Sequence, residues 1–467
     1  MDIDQTIFKA YDIRGIYPTQ VNEQNYPVII KAIYTFFVQD LKKENLTIVL
    51  ARDMRVSSPT LFELAKKTLV ELGAKVVDIG LASTPTFYYA VSQYGYDCGI
   101  QVSASHNPKE YNGIKFARNT GGKLTKIGKA TGMEIVKKLV VSQEFVKPKE
   151  GGNVLVNDHV LQDEIESAQK AIVTAPLKKF KIVADPANAM GCVFLEELFK
   201  HVPTDLVKMN FELDGTFPSH EPNPLKYKNL KDLQQKVIEE KADLGIAPDG
   251  DGDRIFFIDE KGKIIQATSI TSLIANEILE KSPGEIITAD IRDILNVKEV
   301  CHRLGGKFTM CIVGHAYITE QLNRENAAFA GESSGHFFFR ETGGGESSIR
   351  VILYVLNAMN EQNKPISEII SQYITAFEHE EINFVISPPA DPQIILADLE
   401  KDYSTGHVYK DDGLAVDFPD WRFNVRLSNT ENEPILRVNV EGKNKELVDE
   451  KFAEIENKML AAGGKHQ

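Results

Sequence analysis

The chain has 467 residues, 42% of them hydrophobic, and a formal net charge of −14. That length accommodates roughly three or four domains of about 100–150 residues, each large enough to bury a core. The acidic balance excludes nucleic acid and anionic membrane as main partners, while a local basic cleft for a phosphorylated small molecule remains compatible with it. No apolar run reaches the ~18 residues of a membrane span, and Met1–Gln5 is polar and acidic, unlike a signal peptide. The four cysteines (Cys98, Cys192, Cys301 and Cys311) form no CxxC pair. Cys98, Cys192 and Cys311 lie beside or within apolar runs, as buried thiols do in a reducing compartment. The expectation is a soluble cytoplasmic protein, monomer or homodimer, acting on small molecules.

Taken in chain order, one plan repeats three times: strand, loop, helix, second strand, third strand. Thr47–Asp53, Lys181–Asp185 and Glu285–Asp290 are short runs rich in β-branched residues, too short for helices and predicted as buried strands. After the first, Leu61, Leu64, Ala65, Thr68, Leu69 and Leu72 share one helical face. Second strands are predicted near Lys75–Ile79, Asp205–Met209 and Phe308–Val313. Third strands end in the polar loops Ser103–Pro108, Asp249–Arg254 and Gly331–His336, the last after a strand at Ala327–Ala330. Strands alternating with helices predict α/β units with mainly parallel sheets, whose ligands bind beyond the carboxyl ends of the strands. The last part differs. Trp421–Leu427 and Pro434–Val440 alternate like strands around the turn Ser428–Glu433, and Val448, Phe452, Ile455 and Met459 share a helical face. The predicted class is α/β: three related α/β domains with mixed, mainly parallel sheets at 1–149, 150–260 and 261–375, and a C-terminal α+β domain at 376–467.

Each loop carries distinct chemistry. In Val102-Ser103-Ala104-Ser105-His106-Asn107-Pro108, Ser105 is the candidate nucleophile and phosphate carrier, with Ser103 as the second hydroxyl. A serine hydroxyl needs activation or prior phosphorylation. His106 can polarise it, and backbone N–H groups can hold a phosphate; the same residues also read as a Ser/Asn/Pro turn with a helix cap. Asp249, Asp251 and Asp253 alternate in Asp249-Gly250-Asp251-Gly252-Asp253-Arg254, and three hard oxygens in a tight loop suit Mg²⁺. An EF-hand is the competing pattern, with Glu260 at the twelfth position, but Arg254 occupies the sixth, where that loop needs Gly. A solvated acidic turn is the other alternative. Arg254 adds a cation that orients the carboxylates or a phosphate. Gly331-Glu332-Ser333-Ser334-Gly335-His336 offers a carboxylate, hydroxyls and an imidazole suited to vicinal sugar hydroxyls, and reads equally as a loop with a helix cap; Gly314-His315 lies upstream, its His a cleft residue or a structural one. Arg426-Leu427-Ser428-Asn429-Thr430 puts a guanidinium and several donors on a turn, a phosphate cradle or a plain hairpin turn.

Together these segments resemble the α-D-phosphohexomutase family over nearly the whole chain. Phe8–Gly15 is similar to its opening motif, Ser103–Pro108 with Tyr111–Lys115 to its phosphoserine loop, Asp249–Arg254 to its metal loop, Gly331–His336 to its sugar loop and Arg426–Thr430 to its phosphate loop.

The resemblance implies four domains around a central cleft and Ser105 as phosphoserine. Asp249, Asp251 and Asp253 would then hold Mg²⁺ with a phosphoserine oxygen of Ser105. It further implies that Arg14, Lys115, Arg254, His315 and His336, with His106, serve positioning and proton transfer. Tyr11, Gly314, Glu332 and Ser334 would bind substrate, the last two at sugar O3 and O4, and Arg426, Ser428, Asn429 and Thr430 would hold the phosphate not being transferred. The implied reaction interconverts hexose 1-phosphate and hexose 6-phosphate of mannose or glucose through a 1,6-bisphosphate, which also serves as activator. Phosphoglucosamine mutase, a Mg²⁺-dependent sugar phosphatase and a non-catalytic sugar-phosphate binder are the alternatives. The chain departs from the family pattern at three places: Asn432 and Glu433 precede Pro434, Thr319 stands where a Lys is common, and Gly343-Gly344-Gly345-Glu346 replaces an acidic pair.

Overall fold

Runs rich in Val, Ile, Leu and Ala cannot remain in water, and the computed structural model buries them as the centres of sheets. It describes residues 3–428 and 434–467. The first sheet comprises β1 (Ile13–Ile16), β2 (Thr47–Arg52), β3 (Lys75–Leu81), β4 (Cys98–Val102), β5 (Tyr111–Thr120), β6 (Lys123–Lys126) and β7 (Asn153–Val156). Its order is β1-β5-β4-β2-β3-β7, with β6 on β5. β2 runs parallel to β3 and β4, and β7 parallel to β3, while β5 is antiparallel to β4 and β1. With it come helices α1 (Tyr26–Leu41), α2 (Ser58–Glu71), α3 (Thr84–Gln93) and α4 (Glu134–Ser142). α2 buries Leu61, Ala65, Thr68 and Leu69 of the predicted face. Because β2 and β4 are parallel neighbours, the loops after Arg52 and after Val102 leave the sheet on the same side.

α5 (Val160–Ile172) leads to the second sheet, built from β8 (Phe180–Ala184), β9 (Thr204–Lys208), β10 (Leu244–Pro248), β11 (Ile255–Ile258) and β12 (Ile264–Ile265), with α6 (Gly191–His201) and α7 (Lys231–Glu240) between strands. Its order is β12-β11-β10-β8-β9, with β8 parallel to β9 and β10 and with β11 antiparallel to β10. Asp249–Arg254 is thus the tight connection between β10 and β11.

The third segment runs through α8 (Ala267–Lys281), β13 (Ile286–Asp290), α9 (Leu295–Arg303), β14 (Lys307–Cys311), α10 (His315–Glu325), β15 (Phe329–Gly331), β16 (Phe337–Phe339), β17 (Gly345–Glu346), α11 (Ser348–Gln362) and α12 (Ile366–Ser371). β13 and β14 pair in parallel and β16 and β17 antiparallel. The strand expected at Ala327–Ala330 forms two residues later, because the Ala327 N–H closes the end of α10 on Leu322 O at 2.9 Å.

The C-terminal segment is an antiparallel sheet: β18 (Phe377–Glu378), β19 (Ile382–Ile386), β20 (His407–Tyr409), β21 (Leu414–Asp417), β22 (Trp421–Ser428), β23 (Ile435–Gly442) and β24 (Gly464–His466). With α13 (Pro392–Asp402) and α14 (Lys445–Ala461) it buries Phe384, Leu399, Phe423, Val438, Phe452 and Ile455 in one core. The chain divides into two units: one runs to Gln266 and includes Thr319–Phe329 and Ser334–Ile369; the other comprises Ala267–Ile318, Ala330–Ser333 and the chain from Ile370. All four cysteines are buried and unbridged. Among the described residues no helix is long and apolar enough to cross a membrane.

Candidate active site

Ser105 sits just beyond β4 with φ +52°, a left-handed conformation that a non-glycine residue holds only where its surroundings impose it. They do so here. Arg55, fully buried in the loop after β2, donates from Nη2 to Ser105 O (2.7 Å) and Asn107 O (2.6 Å), and from Nη1 to Pro108 O (2.7 Å) and Tyr111 O (2.9 Å). Asp53 balances its charge at 3.2 Å. Ser103 Oγ accepts from Ser105 N at 3.0 Å. The second candidate hydroxyl is thereby engaged in shaping the loop, and the Ser105 hydroxyl lies 3.2 Å from His106 Nδ1. Burial, reinforced by Arg254 and Arg14, pushes the His106 imidazole well below its usual range, so it stands neutral.

Facing Ser105 is the aspartate loop. Asp249 Oδ1 accepts from the N–H groups of Gly252 (3.0 Å) and Arg254 (3.2 Å). Asp251 Oδ2 lies 2.6 Å from Thr84 Oγ1 and 2.5 Å from Lys115 Nζ, which also reaches Asp253 Oδ2 at 2.6 Å. Each aspartate spends one oxygen on this scaffold. The others, Asp249 Oδ2, Asp251 Oδ1 and Asp253 Oδ1, are buried without a hydrogen bond, although Asp253 Oδ1 is 3.3 Å from His336 Nε2. One oxygen of each residue falls within 4.8 Å of the others. Buried, converging carboxylate oxygens without a hydrogen bond are costly unless a cation joins them, and the donor set fits a hard divalent ion. The same crowding acts on protonation. Burial and then Asp253 and Asp251 drive Asp249 well above the usual carboxylate range. For Asp253 burial is outweighed by Lys115, His336 and Arg254, which hold it well below. Lys115 is likewise held far above its ordinary value by Asp251 and Asp253 against burial, so it is a fixed cation.

Arg14 adds a second cation, donating from Nε to Asp12 Oδ2 at 2.7 Å and from Nη1 to Asn107 Oδ1. Tyr11 is half-buried beside Gly128. The second half of the predicted sugar loop joins the same unit: Ile255 N donates to Gly335 O at 3.0 Å, and Arg254 Nε to His336 Nε2 at 3.3 Å. His336 Nδ1 is 2.9 Å from Ser334 Oγ.

Glu332, Gly314, His315, Arg426 and Ser428 belong to the other unit. There Arg292 holds Asp290 through two bonds (Nε–Oδ1 2.9 Å, Nη2–Oδ2 3.1 Å) and reaches Glu332 Oε1 at 3.4 Å, while Ser333 N donates to Asp290 Oδ2 at 2.6 Å. Gly314 and His315 open α10 just after Val313, whose N–H donates to Asp412 Oδ2 at 2.9 Å. Arg426 and Arg437 are cross-strand partners on β22 and β23, and both bind Glu381, at 3.2 and 3.0 Å. Ser428 ends β22. Asn429, Thr430 and the Asn432–Glu433 insertion lie outside the described residues.

Thr84, Arg55, Arg292, Glu381 and Arg437 of this arrangement escaped the sequence reading. Arg437 had a usable signal, as a charge within an alternating apolar strand on the far side of the turn from Arg426.

Models of the phosphoglucomutase/phosphomannomutase family match this chain four times: alpha/beta/alpha domain I at residues 5–139, domain II at 159–262, domain III at 266–377 and the C-terminal domain at 381–458. A phosphomannomutase of Vibrio cholerae is 35% identical over 463 residues, covering 96% of this chain and 97% of that protein. The chain belongs to the phosphoglucomutase/phosphomannomutase family. A phosphomannomutase of Escherichia coli is 36% identical over 447 residues, covering 94% and 95%. A crystal structure of a phosphoglucomutase/phosphomannomutase family protein from Burkholderia thailandensis has a TM-score of 0.87 and 28% identity, covering 100% of both chains. The three α/β segments and the antiparallel C-terminal sheet correspond to that family's domains, and members of the family are mutases that move phosphate within a sugar.

Proposed function

We propose that this phosphohexomutase transfers phosphate reversibly between O1 and O6 of a hexose phosphate, with mannose and glucose as the sugars, through phosphorylated Ser105 and a hexose 1,6-bisphosphate. The observation that carries the reading is the meeting of Ser105, held in a left-handed turn by Arg55, with three aspartates that each keep one buried oxygen without a hydrogen bond. Asp249, Asp251 and Asp253 would hold Mg²⁺, which neutralises charge on a transferring phosphoryl group.

In the first half-reaction the phosphorus–Oγ bond of phosphoserine 105 breaks and a bond to the substrate hydroxyl oxygen forms, giving the bisphosphate, while the proton of that hydroxyl passes to Ser105 Oγ. In the second, Ser105 Oγ bonds to the other phosphorus as its bond to the sugar oxygen breaks; neutral His106 Nδ1 receives the proton of the serine hydroxyl, and a proton returns to the sugar oxygen that leaves. Lys115 and Arg14 remain charged and, with Arg254, stabilise the equatorial oxygens. Arg426 and Arg437, with Ser428, Asn429 and Thr430, would grip the phosphate that is not being transferred, and Glu332, Ser334 and His336, with Gly314, His315 and Tyr11, would place the sugar. Hexose 1,6-bisphosphate serves as activator by rephosphorylating Ser105. The names of the Vibrio and Escherichia relatives support mannose as one sugar.

The test is Ser105→Ala assayed with Mg²⁺ and added bisphosphate on mannose 1-phosphate, glucose 1-phosphate and glucosamine 1-phosphate. Loss of turnover on the first two, with comparable wild-type kcat/KM for both, is the expected result. Near-wild-type turnover in the variant would remove the phosphoserine, and a preference for glucosamine would reassign the sugar.

A further inference from the structure

Glu164 lies on the inner face of α5, between Val160, Ile165 and Ala168, and is 1% exposed. A carboxylate there is expensive to bury, and among the described residues no lysine or arginine forms an ion pair with it. Its two oxygens have separate tasks. Oε2 accepts from Thr86 Oγ1 at 2.8 Å, and Oε1 accepts from Ser347 Oγ at 3.1 Å. Thr86 belongs to the first turn of α3, capped by Ser83 Oγ at 3.2 Å; Ser347 is itself the cap of α11, accepting from Arg350 N. One carboxylate therefore joins the N-terminal turns of two helices.

Both helices grip the aspartate loop through a neighbouring residue. Thr84, at the start of α3, places Oγ1 2.6 Å from Asp251 Oδ2 and donates its N–H to Asp251 O at 2.9 Å. Ser348, at the start of α11, donates to Gly252 O at 2.7 Å. The loop is thus held at two successive residues by two helix starts, and Glu164 is the group those starts share.

The structure assigns Glu164 as a positioning residue of the magnesium loop, fixing Asp251 and Gly252 through Thr84 and Ser348 by locking the first turns of α3 and α11 together. The assignment rests on the reading of Asp249, Asp251 and Asp253 as the metal ligands. Burial pushes the Glu164 carboxyl up to about 7, with Thr86, Ser347 and Arg350 opposing it. The charged and titratable groups around it are Arg350 of α11 and Tyr89 of α3; on its own helix Asp163 is turned to Tyr94. When Glu164 takes a proton, one oxygen becomes a donor and the double acceptor is lost. A carboxylate that only filled space would be replaced by glutamine without functional cost.

The experiment compares full-length wild type, Glu164→Gln, Glu164→Asp and Asp251→Asn for Mg²⁺ affinity by calorimetry, kcat, KM and Tm at pH 6 and pH 8. Glu164→Gln is expected to bind Mg²⁺ about tenfold more weakly than wild type at pH 8, the scale typical of residues behind metal ligands. It should keep the sugar-phosphate KM and show an equal or higher Tm, and wild type at pH 6 should converge on it. Glu164→Asp keeps the charge and should recover part of the affinity. Wild-type affinity in Glu164→Gln at pH 8, or a weakening matched by an equal loss of Tm in both variants, would overturn the assignment. Wild type that binds Mg²⁺ no better than Asp251→Asn would overturn the metal reading, and this assignment with it.

Discussion

A Cβ placed on Gly250 would lie 2.5 Å from the carbonyl oxygen of Ser105. The aspartate loop and the serine loop therefore touch backbone to backbone, and Arg55, bound to that same carbonyl, leaves it no room to retreat. Gly250→Ala should fold, since the clash is local, yet lower kcat by about 100-fold, the scale of misplacing reacting groups by an ångström. Steady-state assay alongside circular dichroism checks it.

Arg55 donates to four carbonyls and lies 3.2 Å from a buried carboxylate. Arg55→Met should cost about 3–5 kcal/mol of unfolding free energy, because it strands the Asp53 charge. Arg55→Lys should keep most of that stability and still lose activity, since an ammonium cannot reproduce the planar fork. Urea titration and kcat/KM separate the two effects.

Glu381 occupies the arginine pair proposed to grip phosphate. An incoming phosphate must take over those donors. Glu381→Gln should tighten inhibition by inorganic phosphate several-fold, and Arg437→Lys should raise KM for the sugar phosphate about tenfold, the worth of one charge-assisted contact. Inhibition constants and KM values read both directly.

His220 has both ring nitrogens on acceptors: Nε2 on Asp185 Oδ2 at 3.1 Å and Nδ1 on Glu221 O at 3.0 Å. That geometry needs the imidazolium, and the bond to Asp185 raises its pKa above 6.5 against burial. A raised folded value means that the stabilising contribution is complete below about 6.5 and is lost as pH rises through the folded pKa. The Tm advantage of wild type over His220→Gln should therefore be larger at pH 6 than at pH 9.

Ser105, Asp249, Asp251 and Asp253 were legible in the sequence because polar residues crowd together directly after apolar strands, where α/β sheets place their ligands. The C-terminal hairpin was legible from its period-two alternation, and helix α2 from its apolar face. Arg55, Thr84 and Glu164 were not, because each acts across 50 residues or more of sequence: Arg55 to Ser105, Thr84 to Asp251, Glu164 to Ser347. On the page Glu164 is one more acid in a charged helix; only the packing of α5 turns it inward. The shift of β15 had the same origin, since the end of α10 claims Ala327 through a backbone bond that no side-chain pattern announces.

Thr319 is buried and donates to Gly344 O at 2.8 Å. Gly343 and Gly344 both have positive φ, and a Cβ on either would meet Gly122 O at 2.3 Å or the Asn323 side chain at 2.8 Å. The threonine in place of a lysine and the glycines in place of an acidic pair are thus two sides of one contact. The two segments therefore have to be exchanged together: a chimera that transplants only one of them from a relative should inherit a mismatch.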